Sequence, residues 1–209
     1  MTKLKKKFLI FDLDGVLIDS KKNMSLSWKK VQDKHLLHNI NFNQYFKHIG
    51  RPFNDILRLI GVKKEFNKIN KTYQIESIKN KNKIKFFKNT TLVLKKLKQK
   101  KYSLNILTSK DKKRTMKFLG KNANLFNYIE CDTIYTKGKP HPDKMNKIIM
   151  KSKYKKSDCV YIGDTQVDYL TAKNAKIDFI FAKWGYGKNY NYKYKCKEIK
   201  SLLKILHNQ

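Results

Sequence analysis

From residue 90 onward the sequence repeats one pattern, an apolar stretch of strand length followed by a stretch with helical character. The apolar stretches are Ser103-Leu-Asn-Ile-Leu107, Tyr128 to Ile134, Cys159 to Ile162 and Ile177 to Phe181. Between them the spacing predicts helices over 92–100, 111–120 (closed by Gly120), 143–153 and about 166–175. Strands linked through helices are parallel, and a parallel sheet needs helices on both faces. Phe8-Leu-Ile-Phe11 supplies one more strand near the start. The expected fold is therefore α/β, a Rossmann-like doubly wound parallel sheet. In such sheets functional groups gather beyond the carboxyl ends of the strands.

Residues 20 to 85 have a different texture. Met24, Trp28 and Val31 fall at i, i+4 and i+7; Phe53, Ile56, Leu57 and Ile60 form a second stripe stopped by Gly61; Phe66, Ile69 and Tyr73 form a third. Such stripes point to core packing. Together they predict a small α-helical domain over 20–85, inserted into a core made of 1–19 and 86–209. At 209 residues the chain suits one core with a modest insertion, at about 150 residues per domain.

Charge is the loudest compositional signal. The formal net charge is +33, from 49 Lys+Arg against 16 Asp+Glu, a balance that raises the possibility of a nucleic-acid partner. The excess is mostly lysine and is spread over the whole chain. Only the tail from Lys183 to Lys200 interleaves aromatics with lysines, through Tyr186, Tyr190, Tyr192 and Tyr194. A solvated basic segment is the simpler reading there, and a compositional drift toward lysine and asparagine accounts for the total. No specific nucleic-acid partner is expected. Cys131, Cys159 and Cys196 are odd in number and have no metal-ligand spacing, which suits a reducing cytoplasm. The apolar run after Lys3 to Lys7 is too short for a signal peptide and ends at Asp12. No stretch approaches the ~18 apolar residues of a membrane span.

Three predicted strands end in polar groups that would share one crevice. The first runs into Asp12-Leu-Asp14-Gly15, the second into Thr108-Ser109, the third into Gly163-Asp164-Thr-Gln-Val-Asp168. Asp164 and Asp168, four apart, would stack on one face if a helix begins there. Gly138-Lys139-Pro140 adds a lysine in a loop stiffened by proline. Two carboxylates as close as Asp12 and Asp14 need a cation or a shared proton. These groups suit phosphoryl transfer, in which equatorial oxygens are neutralised and a nucleophile is held in line. Asp12 would be the nucleophile, forming an aspartyl phosphate, and Asp14 the acid/base. Thr108, with Ser109 beside it, and Lys139 would hold the phosphoryl oxygens. Each signal is common alone; the ordered set is not.

The ordered set resembles the haloacid dehalogenase superfamily, in the branch with a helical cap inserted after the first strand, as in phosphoglycolate phosphatases and β-phosphoglucomutases. The resemblance spans about residues 8 to 187. It implies Asp12 as nucleophile and Asp14 as general acid/base. It also implies Mg²⁺ held by Asp12, the main-chain carbonyl of Asp14 and Asp164, with Asp168 supporting the metal. His48-Ile-Gly-Arg51-Pro resembles the cap segment that approaches substrate, which makes Arg51 a candidate reader of a second anionic group. Trp184-Gly-Tyr-Gly187 resembles the loop after the last core strand and reads as structural. Asn89 and Lys176 depart from the usual turn residues.

Asp14 argues against a dehalogenase, which needs no acid two residues after its nucleophile. The expected function is a Mg²⁺-dependent phosphatase for a small phosphorylated metabolite, phosphoglycolate or a sugar phosphate, acting as a monomer or homodimer with no membrane partner. A β-phosphoglucomutase-like sugar phosphomutase is the alternative, and a non-catalytic basic nucleic-acid-binding protein the remoter one.

Overall fold

Every residue of the first strand is buried, as a strand with neighbours on both edges and helices on both faces should be. The computed structural model, which describes residues 4–133, 137–188 and 191–206, sets this strand, β1 (Phe8–Phe11), near the middle of a six-stranded sheet. In chain order there follow a short β2 (Ile18–Asp19), four helices α1 (Lys21–His35), α2 (Phe42–Phe46), α3 (Phe53–Leu59) and α4 (Phe66–Lys79), and a short β3 (Lys85–Phe86). The alternating part then runs α5 (Thr90–Gln99), β4 (Ser103–Leu107), α6 (Lys112–Leu119), β5 (Tyr128–Glu130), α7 (Asp143–Met150), β6 (Cys159–Gly163), α8 (Gln166–Ala175), β7 (Asp178–Ala182), β8 (Tyr194–Cys196) and α9 (Leu202–Ile205). The sheet order is β5-β4-β1-β6-β7-β8, and every pairing is parallel. This is the doubly wound α/β fold expected from the strand–helix alternation.

Side chains of a strand alternate between faces, and the core divides accordingly. Leu9 and Phe11 of β1 join Val160 and Ile162 of β6 in a cluster under α5. Phe8 and Ile10 join Cys159 and Tyr161 in a second cluster under α7 and α8. A third cluster is drawn wholly from residues 24–73. Its centre is Trp28, fully buried, stacked on Tyr45 at 4.6 Å and donating Nε1–H to the Ile40 carbonyl at 3.0 Å. This helical layer roofs the carboxyl ends of the strands. Its chain enters through β2 and leaves through β3, and those two strands pair antiparallel.

Two expectations shift in detail. The helix predicted from Leu92 starts two residues earlier, behind Asn89 at φ +66°, while α8 keeps its predicted bounds and is capped by Lys176 at φ +59°. Both are non-glycine residues in the left-handed region, a conformation that carries a small steric cost. In the basic tail the lysines are exposed, as a solvated segment requires, but its described tyrosines are packed inward. Tyr192 is buried against Phe179 and Phe181, Tyr194 packs on the core, and Tyr186 is bonded into the loop after β7. Tyr190 and Ile134 lie outside the described residues. Cys131, Cys159 and Cys196 are all free and buried.

Candidate active site

β1 delivers Asp12 to the edge of the sheet beneath the helical roof, with its N–H held by the Ile162 carbonyl at 2.9 Å. Asp12 is 3% exposed. Its Oδ1 accepts from Lys139 Nζ at 2.8 Å, and among the described residues its Oδ2 has no partner. Burial pushes the Asp12 carboxyl up to about 7; Lys139 opposes the shift, and Asp168 and Asp14 add to it. Lys139, equally buried, also donates to Asp168 Oδ1 at 2.7 Å and to Tyr161 Oη at 2.9 Å. Burial works against its ammonium, but the two facing carboxylates outweigh it and hold the lysine above its ordinary range. All three of its donors are committed.

The loop after β6 brings in the other two aspartates. Thr165 is the N-cap of α8 and Asp168 its N3 residue, joined in a reciprocal capping box. Asp164 stands before the cap. The two therefore do not stack along a helix face, as their spacing suggested; they meet because the chain turns between them. Asp168 has both oxygens engaged, Oδ2 by Thr165 and Oδ1 by Lys139 and Tyr161. Asp164 accepts the Tyr186 N–H at 2.6 Å through Oδ2, while its buried Oδ1 has no partner. Burial, reinforced by Asp168 and Asp12, raises its carboxyl well above the usual range.

Ligand oxygens of Asp12, Asp164 and Asp168 all lie within 4.8 Å of one another. Crowded, buried, hard oxygen donors with one orphaned atom fit a small divalent cation. Two glycines permit the crowding. A Cβ on Gly15, at φ +87°, would come within 2.2 Å of Asp164 Oδ2, and the φ alone disfavours any other residue. A Cβ on Gly187 would fall 1.8 Å from the Asp164 carbonyl oxygen.

Asp14 points away from this cluster. Ser20 Oγ donates to its Oδ1, and Lys110 Nζ lies 3.2 Å from its Oδ2. Burial lowers the Lys110 ammonium, against the pull of Asp14. Ser20 is in turn fixed by Tyr186, whose Oη accepts the Ser20 N–H at 2.6 Å. Tyr186 thus reaches Asp164 through its main chain and Asp14 through Ser20, while its ring meets Phe46 of the roof at 5.3 Å.

Asp12, Asp14, Thr108, Ser109, Lys139 and Arg51 all line one cavity of about 50 Å³ between sheet edge and roof. Thr108 is buried and its Oγ1 accepts the Lys110 N–H at 3.1 Å. The Ser109 hydroxyl is committed elsewhere, donating to the Gly50 carbonyl at 2.7 Å, so it ties core to roof. Arg51 is half-buried and makes no hydrogen bond or ion pair with any described residue. Lys110, Arg114, Tyr161, Ser20 and Tyr186 were not singled out from the sequence as site residues. Position directly after Thr108-Ser109 was the one available signal for Lys110, masked by a chain so rich in lysine.

The family model for haloacid dehalogenase-like hydrolases matches residues 9–182. The chain belongs to that family of hydrolases. Among its relatives, the phosphoglycolate phosphatase of Aquifex aeolicus (strain VF5) is 26% identical over 195 residues, covering 86% of each chain. The pyrophosphatase PpaX of Oceanobacillus iheyensis is 23% identical over 209 residues, covering 95% of each. The solved structure of the haloacid dehalogenase-like family protein SP0104 from Streptococcus pneumoniae is 21% identical. It superimposes with a TM-score of 0.82 over 96% of this chain and 98% of that one.

Proposed function

We propose that the protein is a Mg²⁺-dependent phosphatase that cleaves a small phosphorylated metabolite through an aspartyl phosphate on Asp12. The carrying observation is the pairing of a buried Asp12, whose Oδ2 is free toward the cavity, with an Asp14 held at the same cavity by Ser20 and Lys110. Asp12 Oδ2 attacks phosphorus as the bond to the leaving oxygen breaks, and Asp14 gives that oxygen its proton. Water then attacks the aspartyl phosphate, Asp14 takes its proton back, and phosphate leaves with the Asp12 carboxylate restored. Thr108 holds one phosphoryl oxygen and Lys139 another, by exchanging its bond to Asp12 Oδ1 for one to the incoming group, while Asp168 and Tyr161 keep Lys139 in place. The cation, held by Asp12, Asp164 and the Asp14 carbonyl, would neutralise phosphoryl charge during transfer.

In this reading 20–85 is a cap over a core of 1–19 and 86–209, and it decides which leaving group fits. The phosphoglycolate phosphatase and the pyrophosphatase among the relatives support phosphoglycolate or pyrophosphate as the substrate over a hexose phosphate. Three free, buried thiols agree with a cytoplasmic location. Among the described residues no helix is long and apolar enough to cross a membrane. The test is phosphate release from phosphoglycolate, pyrophosphate and sugar phosphates, with and without Mg²⁺, beside Asp12→Asn. Release that needs Mg²⁺ and disappears in the variant is expected. Release that ignores metal and persists in Asp12→Asn would sink the reading.

A further inference from the structure

The cavity is lined by more cations than its carboxylates answer. Lys139 is fully committed to Asp12, Asp168 and Tyr161, and Lys110 is paired with Asp14. Arg114 differs. It is on the first turn of α6, 5% exposed, with Nε on Asp111 at 2.5 Å and its guanidinium 5.3 Å from the Tyr73 ring of the roof. Its two Nη atoms make no hydrogen bond to any described residue, and Arg114 and Tyr73 both line the cavity. A guanidinium so little exposed is stabilised when its remaining donors are met. The Tyr73 hydroxyl already accepts from Tyr45 at 2.9 Å. What remains is a planar fork of N–H groups at the wall of the cavity. That fork matches the oxygens of a carboxylate or a phosphoryl group in a two-point grip.

We propose that Arg114 reads a second anionic group carried by the leaving group, so that the enzyme selects compact, doubly anionic substrates. The proposal rests on the phosphatase reading and goes beyond it by assigning selectivity to the core helix α6 as well as to the roof. Lys139 and Thr108 serve the transferred phosphoryl group, whereas Arg114 serves the part that departs. A structural staple between α6 and α4 would use the same Tyr73 contact but would be blind to the charge of the leaving group.

The decisive experiment compares kcat/KM for phosphoglycolate and for pyrophosphate with that for ethyl phosphate, in which a methyl group replaces the carboxylate of phosphoglycolate. In Arg114→Gln the ratio of anionic to neutral substrate should fall by about 30-fold, the scale of a lost charge-assisted hydrogen bond. Arg114→Lys, which keeps the charge and loses the fork, should fall between. A ratio constant within about twofold, whether or not both rates drop, overturns the proposal and leaves a staple. A fall confined to one of the two anions identifies whether carboxylate or phosphoryl is read. Calorimetric binding of phosphoglycolate and ethyl phosphate to Asp12→Asn, with and without Arg114→Gln, separates this proposal from the phosphatase reading. Tighter binding of phosphoglycolate that vanishes with Arg114 supports the subsite even if no compound turns over. Equal binding of the two ligands while Arg114 is present refutes it.

Discussion

The floor and the roof of the cavity are built on opposite plans. The floor is a set of buried charges answered by other buried charges: Asp12 and Asp168 by Lys139, Asp14 by Lys110. The roof is an aromatic cluster around Trp28 and Tyr45 that brings cavity-lining Tyr73 and the unpaired Arg51 to the site. The floor is stiff because Asp12, Asp14 and Asp168 each face a lysine whose removal strands a charge. The roof is held by packing, which tolerates changes of side chain while volume is kept. The catalytic set proposed above thus lies in the part that cannot vary cheaply, and the part that can vary covers it.

The largest test of this contrast is Asp12→Asn. Loss of the nucleophile should lower phosphate release by ~10³-fold or more, with the circular dichroism spectrum retained; a loss under tenfold would mean the floor is not where the reaction happens. Next, Trp28→Ala should cost about 3–5 kcal/mol by urea unfolding and raise KM, while Mg²⁺ still shifts the melting temperature. Loss of that Mg²⁺ response would break the separation between roof and floor.

A subtler effect concerns pH without metal. The Asp12 carboxyl is lifted from its ordinary 3.8 to about 7, so the native protein holds a proton that the unfolded chain has released. The resulting stability is complete below the unfolded pKa and is lost as pH rises through about 7. The melting temperature of metal-free protein should fall across that window. It should fall less in Asp12→Asn, and less with Mg²⁺ present; equal slopes in all three would show that the floor's charges are not strained. The smallest effect probes the seam between the two regions. Tyr186→Phe removes the hydroxyl on Ser20, and kcat should drop about 3–10-fold, the scale of one hydrogen bond, with KM nearly constant. A change in KM alone would assign Tyr186 to the roof.

The floor was largely legible in the sequence because its residues sit at strand ends with fixed local spacing. Asp12, Asp14, Thr108, Lys139, Asp164 and Asp168 each follow or flank a recognisable apolar run. Their partners were harder to read. Tyr161 looks like any inward strand residue, and Lys110 and Arg114 are three cations away from notice in a basic chain. Ser20 and Tyr186 meet across 166 positions, a contact no local pattern carries. The Asp164–Asp168 geometry was misread because the helix begins two residues after Asp164, behind the Thr165 cap, and the packing of the tail's tyrosines depends on contacts far along the chain that no local spacing carries.

The paired strands β2 and β3 have a meaning for how such an enzyme can be altered. They clamp the two crossing points of the roof side by side, about 5 Å apart as in any antiparallel pair. From the viewpoint of the sheet, everything between them is a long surface loop whose ends are already closed. Extending such a loop costs only logarithmically in its length. The roof is therefore a replaceable part. A different helical layer could be grafted between Ser20 and Lys85 without disturbing the strand order below or the Ser20 bond to Asp14, and the roof's share of specificity could be changed without rebuilding the reaction.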